Sequence, residues 1–178
     1  MMMDKGIQEA IQTLRAAGID GRQGLPEELF LLISSLVPIP NVDLWITDTR
    51  NRVLLSWRND RFYDTGWHIP GGCIRYGETM EERLHRTAWQ EIGCDVEFDA
   101  APMAVRDVIR PPRAGLLNPD ERGHHLAVLY HCCVPDGFML DNRGKTAGDN
   151  GYLQWFEKIP ENLLHIHDVY RDVLQQWL

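Results

Sequence analysis

The fold of this chain is decided by residues 66–94, GWHIPGGCIRYGETMEERLHRTAWQEIGC. They predict a short strand that ends at the Pro-Gly-Gly of residues 70–72, then a loop, then a helix that begins near Glu78 and ends at Gly93. Apolar side chains recur every four positions in this helix and define one buried face. These side chains are Met80, Leu84, Ala88 and Ile92. The paired glycines permit a ligand to approach the main chain closely.

A carboxylate lies at the edge of this buried face. At about 100° per residue, Glu91 falls about 20° from Leu84. A carboxylate in such a position is costly unless a cation meets it. A bound Mg²⁺ would be such a cation, and Gly71 is placed to offer its carbonyl oxygen to the same ion. Alternatively, Glu91 reaches solvent or pairs with Arg86, and spacing alone leaves both interpretations open.

The flanking sequence predicts a mixed α/β domain. Alternating apolar residues predict a strand hairpin over residues 41–58. Further strands are predicted at residues 125–134 and 152–156, with 96–109 mixed but extended; helices are predicted at residues 5–17, 26–36 and from Pro160 to Trp177. This order favours an α/β sandwich of mixed sheets over a doubly wound parallel sheet. We expect residues 1–24 to be a helical appendage and residues 25–178 to form the main domain.

The composition argues against a nucleic-acid-binding or membrane protein. Among 178 residues, 18 are Lys or Arg and 26 are Asp or Glu, which gives a net charge of −8. The longest apolar run is shorter than the roughly 20 residues that span a bilayer, and the N-terminal residues lack the pattern of a secretion signal. We therefore expect a cytoplasmic protein whose cysteines are reduced thiols rather than zinc ligands.

Residues 66–94 resemble the Nudix box, the signature Gly-x5-Glu-x7-Arg-Glu-apolar-x-Glu-Glu-x-Gly-apolar of hydrolases that act on nucleoside diphosphates linked to another group. The match has no gap, and the Pro-Gly-Gly that precedes it fits as well. The matching positions are Gly72, Glu78, Arg86, Ala88, Glu91, Gly93 and Cys94. The resemblance covers about residues 25–178 and implies a Nudix-type α/β/α sandwich with mixed sheets, preceded by the N-terminal helical appendage.

Two carboxylates of the box are missing. Thr87 stands where the glutamate after the arginine is expected, and Gln90 replaces the first of the paired glutamates. Ordinary members of the family use these carboxylates to hold several Mg²⁺ ions and to activate water. The resemblance therefore implies a single Mg²⁺, or Mn²⁺ in its place, held by Glu91 and the Gly71 carbonyl. Waters and substrate phosphates would complete its six ligands.

The same two losses occur in the branch of the family that is similar to GDP-mannose mannosyl hydrolase, in which water attacks the sugar carbon. This resemblance places Arg58 and Arg86 on the diphosphate of a nucleotide-sugar, Asp43 at an acidic position of the substrate site, and Arg61 as a weaker substrate contact. Stabilising the charge on a leaving diphosphate also gives Arg86 a catalytic role. An arginine that this branch carries after the double glycine is replaced by Cys73.

The general base is the weakest part of the match. Alignment on Trp155 puts Asp149 where the branch has a further metal ligand and Asn150 where it has the base. Because an amide cannot accept a proton from water, Asn150 is a poor base. Asp149 could take both roles, or a histidine could substitute for the base. The histidines considered are His68, His124 and His125.

Three functions remain open from the sequence. The first is a Mg²⁺-dependent hydrolase of a nucleotide-sugar that releases nucleoside diphosphate and sugar. The second keeps the conventional attack at phosphorus with a depleted metal site. The third is a non-catalytic module that binds nucleotide-sugars, which the loss of the base would explain. Related hydrolases imply a homodimer.

Overall fold

The computed structural model describes residues 4–60, 65–109 and 124–176. The helices in these residues are α1 (Lys5–Ala16), α2 (Glu27–Leu36), α3 (Met80–Ile92) and α4 (Arg171–Leu174), and a 3-10 helix (His165–Tyr170) leads into α4. The strands are β1 (Ile39–Thr47), β2 (Val53–Arg58), β3 (Gly66–His68), β4 (Gly71–Cys73), β5 (Glu97–Phe98), β6 (Ala104–Ile109), β7 (His124–Cys133) and β8 (Leu153–Phe156). Among these residues, no helix is long and apolar enough to cross a bilayer.

The strands form a mixed sheet in the order β3-β2-β1-β7-β5. β4 pairs with β1, β6 with β7, and β8 with β2. The long strands β1 and β7 are parallel, with Ile39 opposite His125 and Thr47 opposite Cys133, whereas the other pairs are antiparallel. The predicted hairpin is confirmed as β1 and β2, which are antiparallel.

The sheet has a hydrophobic core on each face. Successive side chains of a strand point to opposite faces, and Val42, Leu44 and Ile46 of β1 belong to the core that also contains Leu84, Ala88 and Ile92 of α3. Trp45 belongs to the second core, together with Tyr170 and Leu174. Helices therefore cover both faces, which confirms the predicted α/β/α sandwich.

Local sequence explains the limits of α3. Thr79 caps the first turn by accepting a hydrogen bond from the backbone of Glu82, whose side chain accepts one from the backbone of Thr79 in return. Gly93 ends the helix with φ of 75°, a left-handed conformation that glycine adopts easily. Gly71 and Gly72 lie inside β4, beside β1, whereas the sequence placed them at the end of a strand.

The long C-terminal helix predicted from Pro160 is wrong: the described residues have a 3-10 helix at His165–Tyr170 and an α-helix only at Arg171–Leu174. Residues 160–164 pair with β3 instead: the Trp67 backbone N–H donates to the Asn162 carbonyl at 3.0 Å, and the Leu164 N–H donates to the Trp67 carbonyl at 2.8 Å. Helical structure begins only at His165, and Trp177 lies outside the described residues. The first two predicted helices are confirmed, and α1 contains no buried residue.

Candidate active site

A cavity of about 220 Å³ opens where β1, β4, the end of α3 and the 3-10 helix approach one another. It is lined by Asn41, Asp43, Arg58, His68, Gly71, Gly72, Cys73, Glu91, Val108, His125, Ala127, Ile166 and His167. Four residues that the sequence proposed for the site therefore line one cavity, although they are far apart in the chain. These four are Asp43, Arg58, Gly71 and Glu91.

The backbone of Gly71 and the side chain of Asp43 meet at the junction of β1 and β4. The two residues are opposite each other in the strand register, and a Cβ added to Gly71 would run into the Asp43 carboxylate. The Tyr170 hydroxyl donates to Asp43 Oδ2 at 2.6 Å, and the Asn41 amide donates to Oδ1 at 2.8 Å. Burial raises the pKa of Asp43 to about 6, although both hydrogen bonds and the nearby Arg58 oppose the shift.

Glu91 lies in the last turn of α3 and is partly buried at the edge of the apolar face, as its spacing predicted. Within the described part of the chain its carboxylate makes no hydrogen bond or ion pair. Burial raises its pKa, and the charges of Arg58 and Lys145 act in the opposite direction. A partly buried carboxylate without a paired cation is a suitable ligand for a metal ion.

The Mg²⁺ that the resemblance implies fits this donor set. The Glu91 carboxylate and the Gly71 main chain share one cavity, and both supply the hard oxygen ligands that Mg²⁺ prefers. The absence of a side chain at Gly71 leaves room for the Asp43 carboxylate beside its main chain. No group of three His, Cys, Asp or Glu side chains in the described ranges is arranged to hold a metal, so waters and substrate oxygens would have to complete the coordination.

The positions of the two missing carboxylates are filled by uncharged groups. Thr87 is buried, and a Cβ on Gly72 would lie only 2.6 Å from its hydroxyl. Gln90 is exposed and lines a second cavity, of about 210 Å³, which shares Arg58 and Glu91 with the first. No further carboxylate therefore stands beside Glu91 on α3 at these positions.

Arg58 lies at the end of β2, where both cavities meet. Its side chain is 21% exposed and pairs with Asp60 at 3.3 Å. The structure thus brings Arg58 to the candidate site, as the sequence proposed. Arg61, the weaker candidate, lies outside the described residues.

Arg86 does not line either cavity, so its contact with substrate and its catalytic role stay predictions from the resemblance. Its Nη1 pairs with Glu78 Oε1 at 3.1 Å, and the other oxygen of Glu78 lies 3.1 Å from Arg83 Nε. Glu78 and Arg83 are 5% and 4% exposed, so this pair is buried beneath the helix. Sequence reasoning missed Arg83, because helical spacing gives no sign that the loop folds Glu78 back onto it.

Asp149 also lies outside the linings of both cavities, so its roles as metal ligand and base stay predictions from the resemblance. Its carboxylate accepts hydrogen bonds from the Thr146 backbone N–H and hydroxyl at 2.7 and 2.8 Å. Asn150 lines the second cavity, and its Oδ1 accepts a hydrogen bond from the Asn59 backbone N–H at 3.3 Å. The loop thus contributes Asn150, whose amide cannot act as a base.

Among the described residues, three histidines line the first cavity: His68, His125 and His167. His68 and His125 line it as the sequence suggested, whereas His124 contacts Asp107 at 3.1 Å and does not line it. Sequence reasoning missed His167, whose Nε2 accepts a hydrogen bond from the Ile69 backbone N–H at 3.1 Å. Burial lowers the pKa of His167 to about 3, so its imidazole is neutral at neutral pH.

The neutral state of His167 predicts a pH-dependent stability. The pKa of His167 is lower in the folded protein than in the unfolded chain. The stabilisation of the folded protein by the neutral imidazole is therefore complete above about pH 6.5 and is lost as the pH falls toward about 3. His167→Gln keeps an acceptor for the Ile69 N–H and cannot be protonated. We expect its deficit in unfolding free energy relative to the parent to shrink by about 3 kcal/mol between pH 7.5 and pH 4.5. Urea denaturation at both pH values measures this.

The matched control is His165→Gln, because the side chain of His165 is 88% exposed. The titration of Asp43 acts in the opposite direction but is common to all three proteins, so it cancels in the comparison. An equal deficit for His167→Gln at both pH values would contradict the prediction.

Comparison with known proteins supports the box and the fold. The profile of the NUDIX domain family matches residues 37–160, more than half of the chain. The chain is 33% identical over 76 residues to the low-salt glycan biosynthesis protein Agl8 of Haloferax volcanii. That match covers 43% of this chain and 48% of Agl8, so the chain spans about half the length of this curated relative.

Solved structures resemble the whole sandwich. A MutT Nudix hydrolase from Burkholderia pseudomallei is 24% identical with a TM-score of 0.57, over 79% of this chain and 98% of that one. A possible asymmetric diadenosine tetraphosphate hydrolase from Jonesia denitrificans is 16% identical with a TM-score of 0.59. The match covers 80% of this chain and 95% of that one. A UDP-X diphosphatase is 18% identical with a TM-score of 0.55. The match covers 99% of this chain and 84% of that one. These likenesses show a shared fold, and with the match of the family profile across the box, they establish that the chain belongs to the Nudix hydrolase family.

Proposed function

We propose that this Nudix hydrolase is a Mg²⁺-dependent enzyme that cleaves a nucleoside diphosphate linked to a sugar, with water attacking the anomeric carbon. The observation that carries the proposal is the partly buried Glu91 carboxylate, which shares a cavity with Gly71 and Arg58 while its neighbouring box positions are Thr87 and Gln90. This set of groups suits one divalent ion. It does not suit the cluster of ions that hydrolysis at phosphorus commonly uses.

The reaction transfers the bonding electrons of the sugar–oxygen bond to the diphosphate. The oxygen of water bonds to the anomeric carbon, the bond from that carbon to the diphosphate oxygen breaks, and the proton of water passes to a base. The products are a nucleoside diphosphate and a free sugar. Mg²⁺ bound at Glu91 and the Gly71 carbonyl would neutralise part of the charge on the diphosphate.

The residues of the cavity have separate roles in this proposal. Arg58 binds the diphosphate and stabilises the charge that develops as it leaves. Asp43, held by Tyr170 and Asn41, presents a fixed carboxyl group to the sugar hydroxyls. We assign the proton transfer to the imidazoles that line the same cavity, His68 or His125. Asp149 is not assigned this role, because its carboxylate lines neither cavity and already accepts two hydrogen bonds from Thr146.

The curated relative is compatible with a sugar-linked substrate. The name of the Haloferax volcanii relative places that protein in glycan biosynthesis. That role belongs to the relative. It motivates the choice of nucleotide-sugars as the first substrates to test here.

Product analysis tests the proposal. The protein is incubated with Mg²⁺ and a panel of nucleoside diphosphate sugars in water enriched in heavy oxygen, and the products are separated by chromatography. We expect nucleoside diphosphate and a sugar that carries the label. Nucleoside monophosphate with label in a phosphate would show attack at phosphorus, and binding without turnover of any substrate would show a binding module.

A further inference from the structure

The second cavity, which shares Arg58 and Glu91 with the first, is lined by three cationic and two acidic side chains in the described part of the chain. Two of the three cations have no role in the reaction proposed above. Besides Arg58, its lining includes Arg143 and Lys145, both from the loop between β7 and β8. Its acidic side chains are Glu91 and Asp141. The side chains of Arg143 and Lys145 are exposed and make no ion pair with any residue of the described ranges.

The loop is held in a fixed position by its own contacts. The Asn142 side chain accepts a hydrogen bond from the Leu153 backbone N–H at 2.6 Å and donates one to the Leu153 carbonyl at 3.1 Å. The Gly151 backbone N–H donates to the Trp57 carbonyl at 2.7 Å. The loop is thereby fastened to the ends of β2 and β8, beside Arg58. Cationic side chains on a fastened loop are positioned before any ligand binds.

The side chain of Arg143 lies beside the C-terminal end of α3. Arg143 has φ of 52°, which is uncommon for a residue with a side chain. Its guanidinium lies over Gly93, where an added Cβ would collide with it. The glycine that ends α3 thus leaves room for the guanidinium beside the last turn, which carries Glu91. Strained residues of this kind are concentrated at functional sites.

We propose that Arg143 and Lys145, together with Arg58, form the site that binds the diphosphate portion of the substrate. Guanidinium and ammonium groups form charge-assisted hydrogen bonds with phosphate oxygens. The cavity of about 210 Å³ is roughly ten times larger than a single water requires. The inference deepens the proposed function and depends on it only for the identity of the complete substrate.

This assignment divides the substrate between the two cavities. The diphosphate occupies the cationic second cavity, and the sugar occupies the first cavity, where Asp43 and the imidazoles face it. The bond to be broken then lies at their common wall, beside Glu91 and Arg58.

Binding of inorganic diphosphate tests the site without requiring turnover. The probe is titrated with Mg²⁺ into the parent protein, Arg143→Asn, Lys145→Gln and the double variant, and the affinities are measured by calorimetry. Asparagine is chosen because it tolerates the left-handed backbone at position 143. We expect each single variant to weaken binding about five- to ten-fold and the double variant about 50-fold, with a smaller dependence on salt concentration.

The matched control is Lys158→Gln, which removes one exposed cation that lines neither cavity. Parent-like affinity in the double variant, with an unchanged melting temperature, would overturn the proposal. With any substrate that the parent protein cleaves, Arg143→Asn and Lys145→Gln are expected to raise KM more than they lower kcat. If diphosphate binding depends on both residues but no nucleotide-sugar is cleaved, the anion site stands and the proposed function fails. If a nucleotide-sugar is cleaved but the variants change neither binding nor turnover, the proposed function stands and the anion site fails.

Discussion

Glu91→Gln is expected to abolish Mg²⁺ binding and to lower turnover by at least about a thousandfold, because it removes the carboxylate on which the ion depends. Without Mg²⁺ the variant is expected to be at least as stable as the parent, since burial disfavours the charged form of Glu91. Calorimetry with Mg²⁺, initial rates and thermal melting measure the three quantities.

The control for Glu91→Gln is Glu81→Gln. Glu81 lies on the exposed side of the first turn of α3, so its neutralisation changes the net charge by the same amount without touching the cavity. We expect its Mg²⁺ affinity and rate to match those of the parent. Turnover by Glu91→Gln within tenfold of the parent would place the metal elsewhere and remove the main support for the proposed function.

Glu78→Ala is expected to produce the largest loss of stability, about 3–5 kcal/mol in the free energy of unfolding. The substitution leaves the guanidinium of Arg83, only 4% exposed, without its carboxylate partner. It also removes the carboxylate that pairs with Arg86 and accepts the Arg75 backbone N–H at 2.9 Å. Denaturation in urea without Mg²⁺ measures the loss.

A second variant separates the loss of an ion pair from the loss of packing. In Glu78→Leu with Arg83→Met, both buried charges are replaced by apolar groups of similar volume. We expect the double variant to be more stable than Glu78→Ala, because no buried charge is left unpaired. If Glu78→Ala unfolds within about 1 kcal/mol of the parent, the ion pair does not hold the loop on α3.

The sequence located those parts of the site that depend on local periodicity. The four-residue repeat of apolar side chains in α3 correctly placed Glu91 at the edge of the buried face, because the helix obeys the spacing from which this was inferred. The alternation in β1 similarly separates Asp43 from the core residues Val42 and Leu44. The resemblance to the Nudix family predicted that Glu91 and Asp43 belong to one site, and both residues line the first cavity.

The structure departs from the sequence-based expectations where contacts distant in sequence, or local hydrogen bonds, engage the residues of a motif. Arg86 matches the box by position, but a loop turns Glu78 back to it and engages its guanidinium. Asp149 matches a ligand position, but Thr146 offers two donors only three residues away. The segment after Pro160 pairs with Trp67 rather than forming helix. Helical spacing and alignment contain no information on these competing partners.

The hydrogen bond between Asp43 and Tyr170 makes the pocket depend on a distant segment of the chain. It joins residues 127 positions apart, and the bond from Ile69 to His167 spans 98 positions. Both bonds close long loops of chain, so the pocket has its full wall only when the segment His165–Leu174 is packed against the sheet. Undocking of that segment would remove the Tyr170 hydrogen bond and return Asp43 to solvent, and the pKa of its carboxyl group would fall toward the ordinary value because burial is the main cause of the shift.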